Sequence, residues 1–170
     1  MNKTLDQIAI ECGTDKSSLH HNYTEQYEHY FKQYRNKPIS LLELGWGGHE
    51  DPMKGGESAK MWRQYLDKAK ITVVDNEDKH ISTLIDEVMF AHGSQQDAHF
   101  LKGLDIERGP YDIVIDDASH LSSLTIASFN ILFPLLAPGG WYVVEDLHSS
   151  YHAFYYGKNE ANSNPDKNGK

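Results

Sequence analysis

Apolar residues along the chain fall into two periods. Some recur every three or four residues and others run continuously for four or five. Leu5, Ile8 and Ala9 have the helical spacing, as do Tyr27, Tyr30, Phe31 and Tyr34, and again Met61, Trp62, Tyr65 and Leu66. ISLLELG, ITVVD, YDIVIDD and WYVVEDL are continuous and β-rich, which predicts buried strands starting at Ile39, Ile71, Asp112 and Trp141. Residues 79–90 are expected to be helical, with a weak strand over 89–92. DAHFLKGL predicts a short helix with Asp97 as N-cap. SSLTIASFNILFPLLAPGG predicts a longer helix that breaks at Pro138, Gly139 and Gly140. GTDKSSLHHNYT and GGHEDPMKGGES read as loops.

Strands alternating with helices predict an α/β, Rossmann-like fold: a mainly parallel sheet with helices on both faces. In such a sheet ligands bind beyond the carboxyl ends of the strands. Here those ends carry a pattern of their own, because each is rich in glycine or acid.

Composition narrows the picture. The 170 residues suit one domain; 39% are hydrophobic and 24% charged, as in a globular chain. A formal net charge of −9 argues against a broad basic face for nucleic acid. One cysteine, Cys12, precludes an internal disulfide and suits a reducing cytoplasm. The N-terminus has no signal-like apolar core, and no run reaches the roughly 20 residues of a membrane helix. The domain is expected over residues 1–156, followed by a polar, disordered tail over 157–170.

Gly45, Gly47 and Gly48 follow the first strand, where glycine allows a tight bend and close approach to a ligand. The dinucleotide fingerprint wants Gly or Ala at position 50, but Glu50 is there with Asp51 beside it, which disfavours a pyrophosphate and leaves room for a nucleoside. Asp75, ending the second strand, can accept from both ribose hydroxyls. The plainer alternative is that the glycines only turn the chain and Asp75 only caps a helix. Asp116 with Asp117, and Glu145 with Asp146, end two further strands. If those strands are neighbours, four carboxylates converge, and a hard divalent cation such as Mg²⁺ would relieve their repulsion. The alternative is one capping acid per pair, with the others solvated. His120, three residues after Asp117, is the candidate general base; His148 either orients substrate or is simply exposed. Within the first pair, Asp116 is assigned to the cofactor and Asp117 to the metal.

ELGWGG, VVD, GSQQD, YDIVIDDASH and GGWYVVEDLH occur in the order of a class I S-adenosylmethionine-dependent methyltransferase. More narrowly, GTDKSSLHHNYTEQYEHYF, GGHEDPMKGGES, IDDASH and EDLHSSY resemble the metal-dependent sugar O-methyltransferases that act on macrolide antibiotics. The resemblance covers roughly residues 13–151. It implies S-adenosylmethionine and Mg²⁺ as cofactors and a small-molecule hydroxyl, on a sugar or glycosylated natural product of antibiotic biosynthesis, as acceptor. By the same resemblance Gly45 and Gly47 approach the methionine part, Asp75 holds the ribose, and Gln96 or Asp97 lies near the adenine. Glu43 and Asp116 complete the cofactor-binding set. Asp117, Glu145 and Asp146 bind the metal, His120 is the base, and the segment around Asp15, Lys16 and His21 covers the site.

Trp46 and Asn76 depart from the usual small or apolar residues. The sheet is expected to have about five strands, lacking the last two of the seven in a complete class I methyltransferase, and an exposed edge would favour a homo-oligomer. Nucleic-acid and membrane partners are not expected. The competing readings are a non-catalytic S-adenosylmethionine-binding module, a nicotinamide-dependent oxidoreductase and a catechol-type metal-dependent methyltransferase.

Overall fold

A computed structural model describes residues 3–80 and 85–151. The expected tail lies outside them. Helix α1, Leu5–Cys12, starts at a capping box in which the Thr4 hydroxyl accepts from Gln7 N and the Gln7 side chain accepts from Thr4 N. It ends at Gly13, whose φ of 76° stops the helix in the left-handed region. Helix α2 is Thr24–Phe31 and α3 is Glu57–Tyr65. Helix α4, Ala98–Arg108, is capped by Asp97, and α5 is Ser122–Leu132. The strands are β1 Ser40–Leu44, β2 Lys70–Asp75, β3 Val88–His92, β4 Tyr111–Asp116 and β5 Leu136–Val144.

The five strands form one parallel sheet in the order β3-β2-β1-β4-β5. Strand β1 is central and wholly buried. Its residues alternate between two cores, as the strand period of two requires. Leu41 packs with Leu5, Ile8, Tyr27, Phe31, Met61 and Trp62 beneath α1, α2 and α3. Leu42 and Leu44 pack with Val74, Leu101, Leu104, Val114 and Leu132 on the face covered by α4 and α5. The chain leaves β1 for β2 on one side and returns to β4 on the other, so the crevice opens between the carboxyl ends of β1 and β4.

Two expectations are corrected. Residues 85–87 are turn rather than helix and Val88 already belongs to β3; residues 81–84 lie outside the described set. Glu87, at φ 62°, cannot continue a right-handed helix, and the apolar residues after it are claimed by β2 through Ile71↔Val88 to Asp75↔His92. Helix α5 stops at Leu132, not at Pro138, because Pro134 enters a 3₁₀ turn at Phe133–Leu135. Strand β5 then begins at Leu136, five residues before the expected Trp141. Its ladder skips from Tyr111↔Leu136 to Ile113↔Trp141, and Pro138, Gly139 and Gly140 fall in the irregular stretch.

Candidate active site

A cavity of about 720 Å³ opens at the carboxyl edge of the sheet. Its lining includes Gly45, Gly47, Asp75, Gln95, Asp117, His120 and Asp146, with Asp15 and Lys16 from the loop after α1. Gly45 has φ 103°, and a Cβ there would meet the Asp117 carbonyl oxygen at 2.2 Å. Glycine is therefore needed at the point where the β1 turn passes the β4 turn.

Asp75 is held by two backbone donors. Trp46 N donates to its Oδ2 at 2.8 Å and Glu77 N to its Oδ1 at 2.9 Å. Each oxygen keeps a second lone pair, so the carboxylate is fixed yet able to accept from a diol in the cavity.

The acids part according to strand alternation. Asp116, the last residue of β4, points away from Asp117 and into the α5 face. It accepts from Ser128 Oγ at 2.5 Å, Tyr142 Oη at 3.2 Å and Gln95 Nε2 at 3.3 Å. Burial raises its carboxyl above the usual range against those bonds. The remaining three acids meet on the opposite side. Glu145 is buried: its Oε2 accepts from Lys16 Nζ at 2.8 Å and its Oε1 accepts from the Tyr27 hydroxyl. Burial pushes the Glu145 carboxyl up despite the ammonium beside it. Asp117 Oδ2 accepts from the same Lys16 Nζ at 2.5 Å. Asp146 Oδ1 accepts from the Tyr23 hydroxyl at 2.6 Å. Burial works against charge on Asp146, but the Tyr23 bond and then His120, His21 and His148 hold its carboxyl below the usual range.

His120 stands between two of these acids. Its Nε2 lies 3.9 Å from Asp117 Oδ1 and 3.8 Å from Asp146 Oδ2. One ligand atom each from Asp117, His120 and Asp146 lies within 4.8 Å of the others, room for one cation among two oxygens and a nitrogen. His120 and Asp146 have φ 55° and 52°, a region that non-glycine residues seldom enter, so the backbone is strained where the three side chains are aimed inward. Ser149 Oγ donates to the His120 carbonyl at 2.9 Å and ties the two turns together.

The structure thus brings Gly45, Gly47, Asp75, Asp117, His120 and Asp146 to one cavity. Four other candidates sit elsewhere. Glu43 is enclosed in the α3 core, accepting from Ser58 Oγ at 3.0 Å and Trp62 Nε1 at 3.3 Å. Asp116 faces α5. Gln96 is exposed while its neighbour Gln95 lines the cavity, and Asp97 accepts from His99 N and Phe100 N as the cap of α4. Glu145 reaches the acid cluster with both oxygens already bonded. His148 is half exposed, its Nδ1 3.8 Å from Asp146 Oδ1. Asp15 and Lys16, from the segment expected to cover the site, line the cavity, and the Lys16 side chain is 1% exposed. The hydroxyls of Tyr23 and Tyr27, which touch the acids from α2 and the loop before it, were not among the expected residues. Helical spacing marks Tyr27 as core and Tyr23 falls in a segment read as loop, and neither pattern shows where a hydroxyl points.

The fold and this edge define a Rossmann-like domain with a cavity of about 720 Å³ and a carboxylate–imidazole cluster at its wall. No family model matches the chain. It is 43% identical over 153 residues to the 8-demethyl-8-(2-methoxy-alpha-L-rhamnosyl)-tetracenomycin-C 3'-O-methyltransferase of Streptomyces olivaceus, covering 90% of this chain and 39% of that protein. It is 38% identical over 148 residues to the mycinamicin VI 2''-O-methyltransferase of Micromonospora griseorubida, covering 86% of this chain and 37% of that protein. The MycE methyltransferase of the mycinamycin biosynthetic pathway, solved in complex with Mg, SAH and mycinamycin VI, superposes with a TM-score of 0.85 at 35% identity, over 93% of this chain and 43% of that one. The chain is thus similar over most of its length to these O-methyltransferases, and it spans about two fifths of the length of the curated relatives it matches.

Proposed function

We propose that the chain carries the S-adenosylmethionine-dependent, Mg²⁺-assisted O-methyltransferase chemistry of its relatives, directed at a hydroxyl of a sugar on a natural product. The observation that carries this reading is that one cavity at the sheet's carboxyl edge is lined both by Asp75, fixed by two backbone donors, and by the Asp117–His120–Asp146 cluster. Asp75 would hold the ribose, and the Gly45 and Gly47 turn would let the methionine part of the cofactor approach the backbone. Asp117 and Asp146 would hold the ion. When bound, it would supply positive charge against the negative charge that develops on an acceptor hydroxyl. The cofactor would supply the methyl group, its S–CH₃ bond breaking to leave S-adenosylhomocysteine as the O–CH₃ bond forms, and His120, left out of the ion's ligand set, would accept the hydroxyl proton at Nε2. Fixed placement of acceptor and methyl donor supplies much of the remaining acceleration.

The free thiol of Cys12 supports placing this chemistry in the cytoplasm. Among the described residues no helix is long and apolar enough to cross a membrane. Among the described residues Phe129 and Phe133 stack at 4.7 Å and are both exposed, an apolar pair that supports self-association; light scattering coupled to gel filtration tests it.

The test of the activity uses radiolabelled S-adenosylmethionine with two acceptors, mycinamicin VI and 8-demethyl-8-alpha-L-rhamnosyl tetracenomycin C, each in Mg²⁺ or in EDTA. Label transferred in Mg²⁺ and lost in EDTA is the expected result. Cofactor binding with no transfer to any sugar hydroxyl would favour a binding module instead.

A further inference from the structure

At the wall of the cavity one buried ammonium bonds two carboxylates, of which Glu145 is buried and Asp117 is partly exposed. Lys16 Nζ bonds Asp117 Oδ2 and Glu145 Oε2 at 2.5 and 2.8 Å, and the side chains of Lys16 and Glu145 are 1% and 3% exposed. Glu43 adds its field from β1. A lysine in a polar loop ordinarily keeps its head group in water. Burying one costs several kcal/mol unless carboxylates and hydrogen bonds compensate.

The loop holds Lys16 firmly. Its carbonyl accepts from Tyr23 N at 2.9 Å and Thr24 N at 3.1 Å, and its N–H is 3.4 Å from the Thr14 hydroxyl. Burial opposes its charge, but Glu145, Asp117 and Glu43 keep the ammonium well above the usual lysine range. The contact divides the labour of Asp117. Oδ2 is held from below by Lys16, while Oδ1 faces His120 and the space where the three ligand atoms gather.

We propose that Lys16 is a positioning residue for the cation site, an internal counter-ion that holds Asp117 and Glu145 in place before a divalent ion arrives. This role rests on the divalent-ion reading above. Lys16 and the ion share Asp117 and act on it from opposite sides. With Lys16 in place most of the repulsion among the acids is already relieved, and the ion adds little to folding stability. Without Lys16 the acid edge depends on the ion.

The experiment is thermal unfolding of the chain and its Lys16→Met variant, each in EDTA and in saturating Mg²⁺, with a calorimetric Mn²⁺ titration of the unaltered chain beside it. The Mg²⁺-induced rise in Tm is expected to be at least twofold larger in Lys16→Met than in the unaltered chain. Lys16→Arg, which keeps the charge, should return it to the original size. A lysine that merely fills space would lower Tm equally in both buffers, and that result overturns the proposal. Should Lys16→Met fold only with Mg²⁺, the dependence is shown in its strongest form. Should it fold in neither buffer, Lys16→Met/Glu145→Gln decides. Losing the ammonium together with one carboxylate should restore folding in EDTA, and failure to do so means that charge balance is not what Lys16 provides. No Mn²⁺ heat and no Mg²⁺ effect in the unaltered chain would overturn the divalent-ion reading, and this role with it. A normal Mn²⁺ heat with equal Tm rises in both chains would overturn the role alone.

Discussion

His120 owes its placement to strain as much as to sequence. Its φ of 55° turns the imidazole back between Asp117 and Asp146, and the Ser149 hydroxyl on its carbonyl holds the turn. His120→Ala should lower methyl transfer by roughly 10²- to 10⁴-fold, the usual contribution of a placed general base. The affinity for S-adenosylhomocysteine should be nearly unchanged, because the Asp75 and glycine side of the cavity is untouched; a calorimetric titration of the variant checks this. The spacing of IDDASH made His120 legible as a base candidate. Which oxygens it faces depends on a backbone angle that no residue pattern encodes. Glu43 shows the opposite failure. The resemblance put Glu43 in the cofactor-binding set, but alternation along β1 turns it into the α3 core. Burial there raises its carboxyl from 4.5 to about 7, while Lys16, Ser58 and Trp62 work the other way. The folded state then binds more protons than the unfolded one between those two values, so this group's contribution to stability falls as pH rises from 4.5 to about 7. Glu43→Gln should keep the Ser58 and Trp62 contacts and remove that fall. Tm of the two chains measured across this interval would show the unaltered chain losing ground to the variant as pH rises.

At the scale of elements, turns and caps decide the site. Asp97 was legible as an N-cap and also a candidate near the adenine, and its Oδ1 is taken up by His99 N and Phe100 N at 2.9 and 3.0 Å. Asp97→Ala should therefore cost about 1 kcal/mol of stability, read as a shift in the urea midpoint, with cofactor affinity changed little. A large affinity loss at unchanged stability would restore the ligand role. Gly45 is different: Gly45→Ala forces a Cβ against the Asp117 carbonyl at a φ of 103°. It should cost at least about 1–3 kcal/mol for the backbone strain alone, again measured in urea, and should weaken cofactor binding as the turn shifts. The helical reading of residues 79–90 failed because a short apolar run carries no signal of which strand will pair with it; β2 recruits residues 88–92 into the sheet. The start of β5 was missed because Pro138 and the two glycines look like a helix stop, whereas they sit inside an irregular ladder.

Across the whole molecule, the strand–helix alternation and the acidic strand ends were enough to predict a parallel sheet with its working edge at the carboxyl ends, and the order β3-β2-β1-β4-β5 follows that plan. What remained hidden is long-range. Lys16 meets Asp117 and Glu145 across 101 and 129 residues of chain, and Tyr23 meets Asp146 across 123. Only the packing of α1 and α2 against the α3 side of the sheet brings these partners together. The net charge of −9 gathers partly at this edge, where one ammonium, three histidines and two tyrosine hydroxyls temper it. On the function proposed above, this edge takes an S-adenosyl cofactor with Asp75 at its ribose. Calorimetric titration of S-adenosylhomocysteine into the chain and into Asp75→Ala tests it most directly. Micromolar binding at one site per chain, weakened at least tenfold in Asp75→Ala, is the predicted result. No binding to the unaltered, folded chain, or equal binding by both, would contradict it.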